Sequence, residues 1–251
     1  MRRDRATSTL ALTALVCVVL ASGVSAPSTL PGAGDDAPKD LPRDPMKLVE
    51  QCVEAAKDLG DHTACLEMQE RLFGKLRPVQ AIEGRFRRTP RSVYLKWVAG
   101  PHAGREALWV DGKNDGMLLV YLGDWPEFRR VVRLRLDSAE TKQAARHAIT
   151  CAGVHYLVER MHEQYVEAQR AGTLVSRVEG PETLDGRPTL RLVRDLPDGG
   201  RCVWNVDTEI RLPVRVETRD KTGKLVECYW YRKLKVDVKL DDAAFAPEEI
   251  W

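Results

Sequence analysis

The chain has 251 residues, of which 30% are charged and 43% hydrophobic, and its formal net charge at pH 7 is +2. Without residues 1–26, which hold three arginines and one aspartate, basic and acidic residues are equal in number at 36 each. A neutral chain without a basic stripe lacks the charge pattern of nucleic-acid-binding proteins and has no electrostatic attraction to an anionic membrane.

The N-terminus has the pattern of a secretory signal peptide. Three arginines precede an apolar stretch, Leu10–Ala21, and small residues follow it. An apolar stretch of about a dozen residues is too short to cross a hydrocarbon core of ~30 Å. Residues 1–26 are therefore predicted to be a cleaved signal peptide, and the mature chain to contain no transmembrane span. Residues 27–44, rich in Pro, Gly, Ala and Asp, predict a disordered linker, which leaves 45–251 as a single domain.

Five cysteines follow the predicted signal peptide, and an odd number leaves at least one thiol free or joined to another chain. Cys52 and Cys65 are close in sequence and could form a disulfide between the first helix and the first strand. The sequence leaves open the alternative that both are partly buried thiols. Because no CxxC motif occurs, neither a zinc ribbon nor a thioredoxin-type redox site is supported.

The first predicted element of the domain is a helix over residues 45–59. Apolar residues recur in it at helical spacing, and Asp44 followed by Pro45 is typical of a helix start. From residue 64 to residue 136 the period of hydrophobicity changes to two, with turn residues between the runs. This alternation predicts antiparallel strands that bury one face.

A longer helix is predicted at residues 150–171, where apolar side chains from Val154 to Ala168 form one stripe. The polar segment before it, residues 137–149, is predicted to hold a short helix or an ordered loop. Strands then resume near residues 174–180, 187–195, 201–207, 211–219 and 224–236.

The order of these elements predicts the fold class. About nine to eleven strands with two helices lack the alternation of a parallel βαβ fold. We therefore expect an α+β fold in which a large curved antiparallel sheet, an incomplete barrel, packs on two helices. Because two helices cannot cover the whole apolar face of such a sheet, a hydrophobic cavity is expected between sheet and helices.

Four segments resemble the DUF1571 family of exported bacterial proteins of unknown function, namely Gln69–Leu76, Ser92–Gly116, Arg146–Thr150 and Tyr229–Pro247. The chain departs from the family's usual pattern at Ala148, where proline is common, and at Asp237, where asparagine is common. The order of elements also resembles the outer-membrane lipoprotein carriers (LolA/LolB-like). This likeness implies a carrier-like fold with an apolar cavity for acyl chains. The predicted signal peptide leads us to expect a location in the bacterial periplasm or cell envelope. The DUF1571 resemblance assigns no catalytic residue.

The candidate ligand contacts are apolar side chains expected on the inner face of the sheet and on the long helix: Leu66, Phe86, Leu95, Trp97, Leu108, Val132, Leu134, Leu157, Met161, Trp204, Val214 and Trp230. Trp109 is expected to be exposed on the opposite face from Leu108. The expected ligand is a lipid or a lipoprotein acyl chain. We expect the protein to need no cofactor or metal ion and to bind no nucleic acid. His147 is either a contact to a ligand or lid, or a histidine that bonds its own loop.

Residues able to carry catalysis are weakly indicated. The sequence has neither GxSxG nor HExxH. Paired carboxylates can perform acid–base chemistry when one of them is buried, but Glu67 and Glu70 are interpreted as the solvent-facing side of the first strand. Arg105 and Glu106 are interpreted as an exposed ion pair. We therefore expect a protein that is not an enzyme.

Three hypotheses for function follow from these patterns. The leading one is an exported non-enzymatic protein that binds a hydrophobic ligand in a cavity between the sheet and the helices. The second is a cell-envelope interaction or structural module with a closed core. The third is an uncharacterised hydrolase that uses acidic residues or a thiol. A cavity under the long helix would favour the first hypothesis over the second.

Overall fold

The computed structural model describes residues 42–123 and 131–251. The predicted signal peptide and all but the last three residues of the predicted linker lie outside the described residues. The described helices are α1 (Pro45–Lys57), α2 (Ala139–Ala144), α3 (Val154–Arg170) and α4 (Pro247–Ile250), and single 3₁₀ turns lie at Asn114–Gly116, Ile149–Cys151 and Ala243–Phe245. Within the described ranges, no helix combines the length and the hydrophobicity that crossing a membrane requires.

The strands form one antiparallel sheet. They are β1 (His62–Leu72), β2 (Lys75–Leu76), β3 (Gln80–Arg87), β4 (Ser92–Ala99), β5 (Glu106–Val110), β6 (Leu118–Tyr121), β7 (Val131–Leu134), β8 (Val175–Leu184), β9 (Arg187–Asp195), β10 (Arg201–Asp207), β11 (Pro213–Arg219) and β12 (Leu225–Lys235). Their order is β7-β6-β5-β4-β3-β1-β12-β11-β10-β9-β8, and β2 pairs with β1 off this path. The predicted antiparallel α+β class is confirmed. The described sheet has twelve strands, more than predicted, because the two-residue β2 has no periodicity to reveal it.

The sheet is open, with β7 and β8 outermost, and it bends around α1 and α3. Neighbouring strands lie ~4.8 Å apart, so a flat sheet of this size would be ~50 Å wide and two helices could not reach across it. Nevertheless, one buried apolar cluster takes Trp109 from β5 and Val120 from β6. The same cluster contains Leu192 from β9 and Trp204 from β10. Both halves of the sheet therefore face the same interior.

The first helix begins and packs as its sequence predicts. The Asp44 side chain accepts a hydrogen bond from the backbone N–H of Lys47 at 2.9 Å, and Pro45 occupies the first turn. Leu48, Val49 and Cys52 form its buried stripe. The helix ends at Lys57, two residues before the predicted end.

The long helix begins four residues later than predicted, at Val154. Residues 149–151 form a 3₁₀ turn, and Gly153 adopts a φ of 100° before the helix. A Cβ atom at this position would lie 3.0 Å from the Phe86 ring, so the close approach and the backbone conformation both require glycine. The tight turn and this glycine separate α3 from the segment before it.

The C-terminal segment covers part of the outer face of the sheet. Tyr94, Leu108 and Leu119 form a buried cluster with Phe245 on that face. Trp109 instead points inward and is buried, so the predicted faces of Leu108 and Trp109 were reversed. All residues of β5 are buried because both faces of this strand are covered, so its hydrophobicity could not distinguish the two faces.

Candidate functional site

A cavity of about 330 Å³ lies between the inner face of the sheet and the segment that contains α2, the 3₁₀ turn at Ile149–Cys151 and the first half of α3. This volume is about twice that of an engineered apolar cavity of ~150 Å³ that binds benzene. Its walls are largely apolar, and side chains such as Val132 and Leu134 near its rim are only partly buried. The space can therefore hold a small hydrophobic molecule or part of a chain.

Seven of the predicted ligand contacts line this cavity: Leu66, Leu95, Trp97, Val132, Leu134, Leu157 and Trp204. Three others are buried elsewhere on the inner side of the domain. Phe86 stacks on the His62 ring at 4.9 Å, Met161 packs in the core-facing stripe of α3, and Val214 is buried on β11.

Two of the predicted contacts lie on the outer face of the sheet, and the structure contradicts their assignment. Leu108 packs under the C-terminal segment. Trp230 stacks with the Arg232 guanidinium, whose central carbon lies 4.5 Å from the ring. The inner positions of β12 belong to Tyr229 and Tyr231. Because aromatic residues alternate on both faces of this strand, its pattern does not show which face is buried.

We call the segment from α2 to the first half of α3 the roof of the cavity. It is fixed to the sheet at the start of α3. Arg91 Nη2 donates a hydrogen bond to the carbonyl oxygen of Thr150 at 2.6 Å. The Tyr231 hydroxyl accepts one from Gly153 N at 2.9 Å, and His62 Nε2 accepts one from Val154 N at 3.1 Å. These bonds satisfy backbone groups in the 3₁₀ turn and at the helix start.

A pair of glutamates on the inner face lies at one end of the cavity. Glu70 of β1 and Glu227 of β12 are directly opposite each other in the register of the two strands. Glu70 is buried, so its interpretation as a solvent-facing residue was wrong. Its position two residues after Met68 places it in the inward-facing set of β1. We call Glu70 and Glu227 the acidic pair.

The two carboxyl groups of the acidic pair have different environments. Burial raises the pKa of Glu70, although its oxygens accept hydrogen bonds from the Tyr229 hydroxyl and from Arg146 N. Burial also acts to raise the pKa of Glu227. The bonds that Glu227 accepts from His147 Nε2 at 3.0 Å and Arg146 Nε at 2.9 Å outweigh burial, so its pKa is lowered.

His147 and its neighbour Arg146 connect the roof to the sheet through the acidic pair. His147 lines the cavity and bonds Glu227, a residue distant in sequence, and its ring lies 5.8 Å from the Tyr229 ring. No sequence pattern links His147 to Glu227, because the two residues are 80 positions apart. This arrangement favours a role for His147 as a contact between the roof and the sheet. It does not fit a histidine that bonds only its own loop.

Arg105 and Glu106 point to opposite faces of the sheet, so their expected ion pair does not form. Glu106 is buried on the outer face, where it accepts hydrogen bonds from the Tyr94 hydroxyl at 2.6 Å and from Trp251 Nε1 at 2.9 Å. Arg105 lines the cavity together with Ala107, two positions along the chain. Alternation along the strand separates the two neighbours.

The thiols are poorly suited to nucleophilic catalysis. All five cysteines that the structure describes are free. Cys52 lies in the core, whereas Cys65 occupies an outward position of β1, so the sheet separates the pair that could have formed a disulfide. Burial raises the pKa of Cys52 and of Cys202 to about 12. In the described ranges, no group of three His, Cys, Asp or Glu side chains is arranged to hold a metal ion.

The family model DUF1571, described as a protein of unknown function, matches residues 59–249. No curated protein matched the chain in sequence. Similar solved structures include the Mycobacterium tuberculosis lipoprotein LppX, with 15% identity, coverage of 78% of this chain and 98% of that chain, and a TM-score of 0.48. The match to the MucA/MucB complex of Pseudomonas aeruginosa has 17% identity and a TM-score of 0.48, and it covers 82% of this chain and 62% of that chain. The match to a LolA superfamily protein from Nitrosomonas europaea has 11% identity and a TM-score of 0.36, and it covers 80% of this chain and 97% of that chain.

Proposed function

The chain belongs to the DUF1571 family, and we propose that it is an exported, non-enzymatic protein that binds a hydrophobic ligand, such as a lipid or a lipoprotein acyl chain, between its sheet and its helices. The observation that carries this proposal is the cavity of about 330 Å³ with apolar walls. Ligand sites for small molecules start at ~300 Å³ and are mostly apolar. A closed structural core would instead be filled by its own side chains.

The walls of the cavity can supply binding energy without specific polar contacts. Each methylene group that leaves water contributes ~0.8 kcal/mol. An acyl segment of about ten methylenes would therefore gain ~8 kcal/mol, before the costs of association and ordering. Val132, Leu134 and Leu136 are partly exposed at the rim, and a ligand would cover them.

The N-terminal sequence supports the proposed location. Its arginines and apolar stretch direct export, which would place the domain in the periplasm or the cell envelope. In that compartment a free acyl chain needs a protein cavity or a membrane to avoid water.

One observation favours a hydrolase as a second candidate. The pKa of Glu70 is raised and that of Glu227 is lowered, a division that acid–base catalysis uses. However, the oxygens of both carboxyl groups already accept hydrogen bonds from Tyr229, Arg146 and His147. These bonds support a role for the acidic pair in holding the roof. Hydrolysis of ester substrates that is lost in Glu70→Gln would favour the hydrolase.

The binding proposal can be tested by filling the cavity from its roof. Ala144 of α2 lines the cavity, whereas Ala139 at the start of the same helix does not, and both are exposed. N-phenyl-1-naphthylamine, a neutral dye that fluoresces in apolar surroundings, should bind the purified protein. We expect Ala144→Trp to weaken this binding at least tenfold and Ala139→Trp to leave it unchanged. Equal dye binding by both variants would contradict the proposed site.

A further inference from the structure

Arg105 lines the cavity, and its positive charge is paired with no carboxylate among the described residues. The acidic pair is satisfied by neighbouring donors, and the Arg146 guanidinium is paired with Glu227. At the rim, exposed Arg160 and Glu140 carry opposite charges. Arg160 likewise forms no ion pair with a carboxylate in the described part of the chain, but it is exposed to solvent, whereas Arg105 is partly buried.

The Arg105 side chain is also incompletely hydrogen-bonded. Its Nε atom is buried and has no hydrogen-bond partner among the described residues. A buried N–H without an acceptor costs free energy and calls for a partner. The cost is larger for a charged group than for a neutral one.

Three polar side chains near Arg105 in the described part of the chain are engaged by other partners. Trp97 Nε1 donates to Gln80 Oε1 at 2.7 Å, so these two side chains satisfy each other. Glu106 points to the outer face of the sheet and bonds Tyr94 and Trp251 there.

The acidic pair is too far away to neutralise Arg105. Glu70 lies on β1, while Arg105 directly precedes β5, and β3 and β4 lie between these two strands. Three strand spacings correspond to ~14 Å across the sheet. The two ends of the cavity therefore differ in character, with a satisfied polar cluster at one and an unmatched guanidinium at the other.

We propose that the cavity ligand is an anionic amphiphile whose head-group oxygens accept hydrogen bonds from Arg105 while its hydrocarbon chain lies on the apolar wall beside Leu95 and Trp97. This inference rests on the proposed function and names its ligand class. A guanidinium presents parallel N–H groups that match the oxygens of a carboxylate or a phosphate. An anionic head group would pair the guanidinium charge, and the chain would remove apolar surface from water.

Three probes with the same alkyl chain separate this inference from the proposed function. Dodecanoate, dodecyl phosphate and dodecanol share a hydrocarbon tail and differ only in the head group. Each would be titrated against the protein by displacement of N-phenyl-1-naphthylamine. We expect at least one anionic probe to bind roughly tenfold or more tightly than dodecanol. Tighter binding of dodecanoate would indicate a fatty-acid head group, and tighter binding of dodecyl phosphate would indicate a phospholipid-type head group.

Variants then assign the preference to the side chain. Arg105→Gln should remove the preference for the anion and leave dodecanol binding within about twofold of wild type. Arg105→Lys keeps the charge and should retain part of the preference. Arg177→Gln is the control, since Arg177 is a half-exposed arginine of β8 whose guanidinium pairs with Glu179 and Asp195. Circular dichroism confirms that each variant is folded.

Each outcome decides the inference. Equal binding of all three probes by wild type would overturn it while leaving the proposed function in place, and this comparison needs no variant. An anion preference that survives in Arg105→Gln would overturn the assignment to Arg105. Failure of every probe to bind wild type would overturn both the inference and the proposed function.

Discussion

Acid should weaken the attachment of α3 to the sheet, because His62 can hold the helix only as a neutral ring. Its Nε2 accepts a hydrogen bond from Val154 N at 3.1 Å, and its Nδ1 lies 3.4 Å from the carbonyl oxygen of Gly60. The side chain is fully buried. Burial, followed by the nearby His155 ring, lowers the pKa of His62 to about 4. Protonation would place a charge in the core and remove the acceptor at Nε2.

The size of the effect follows from the two pKa values of His62. The unfolded chain titrates near the ordinary pKa of 6.5, whereas the folded protein titrates near 4. Between these values the unfolded state binds more protons, so the free energy of unfolding falls as the pH decreases, by up to ~1.4 kcal/mol per pH unit. The loss due to this histidine is on the order of 2 kcal/mol at about pH 5 and ~3 kcal/mol near pH 4.

Urea unfolding followed by tryptophan fluorescence can isolate this contribution. Wild type and His62→Gln would be compared from about pH 7.5 to about pH 5, and the difference between their profiles cancels the titration of shared carboxylates. We expect wild type to lose ~2 kcal/mol more than the variant over this range. The control is His162→Gln, which removes a half-buried histidine of α3 and should keep the wild-type slope.

Parallel pH profiles for wild type and His62→Gln would refute this reasoning. They would mean that the His62 ring titrates alike in the folded and unfolded chains. The bond from Val154 N would then not depend on a neutral imidazole.

Three further outcomes are expected. Tyr231→Phe removes the hydroxyl that accepts from Gly153 N, and thermal or urea unfolding should show a loss of ~1–3 kcal/mol; an unchanged stability would show that the bond is replaced. Arg146→Ala leaves Glu227 with fewer hydrogen-bond donors. Amide hydrogen exchange in residues 145–152 should therefore accelerate, and unchanged exchange would mean that other contacts hold the roof. Burial raises the pKa of the Cys202 thiol to about 12, so a chromogenic disulfide reagent should label it only after unfolding, and rapid labelling of the native protein would contradict its burial.

Much of the sheet could be predicted because its strands bury one face. In β1 the inward positions alternate regularly from His62 to Leu72, and period two in the sequence reports this directly. The same alternation contained the correct position of Glu70, two residues after Met68. The general rule that glutamates face water predicts the opposite side of the strand for this residue.

Other features depend on contacts between distant segments and left weaker signals in the sequence. The inward face of β5 could not be inferred, because the C-terminal segment buries Leu108 from outside. The roof of the cavity is a polar segment whose contribution comes from small side chains such as Ala144, Ala148 and Ala152. Because this segment joins a short helix, extended residues and a 3₁₀ turn, no single period of hydrophobicity marks these alanines as facing the cavity.

The role of Arg105 illustrates a third limit. Its position two residues before Ala107 indicates the inner face, but the adjacent glutamate suggested a local ion pair. Only the structure shows that Glu106 bonds Tyr94 and Trp251 on the other side of the sheet.

The central claim, that the cavity between the sheet and the roof holds a hydrophobic ligand, is tested most directly by native mass spectrometry of the protein recovered from a bacterial envelope. We expect a mass above that of the chain alone, lost on extraction with organic solvent, and carried by Ala139→Trp but not by Ala144→Trp. Recovery of the bare chain mass, together with no uptake of dodecanoate or dodecanol, would contradict the claim.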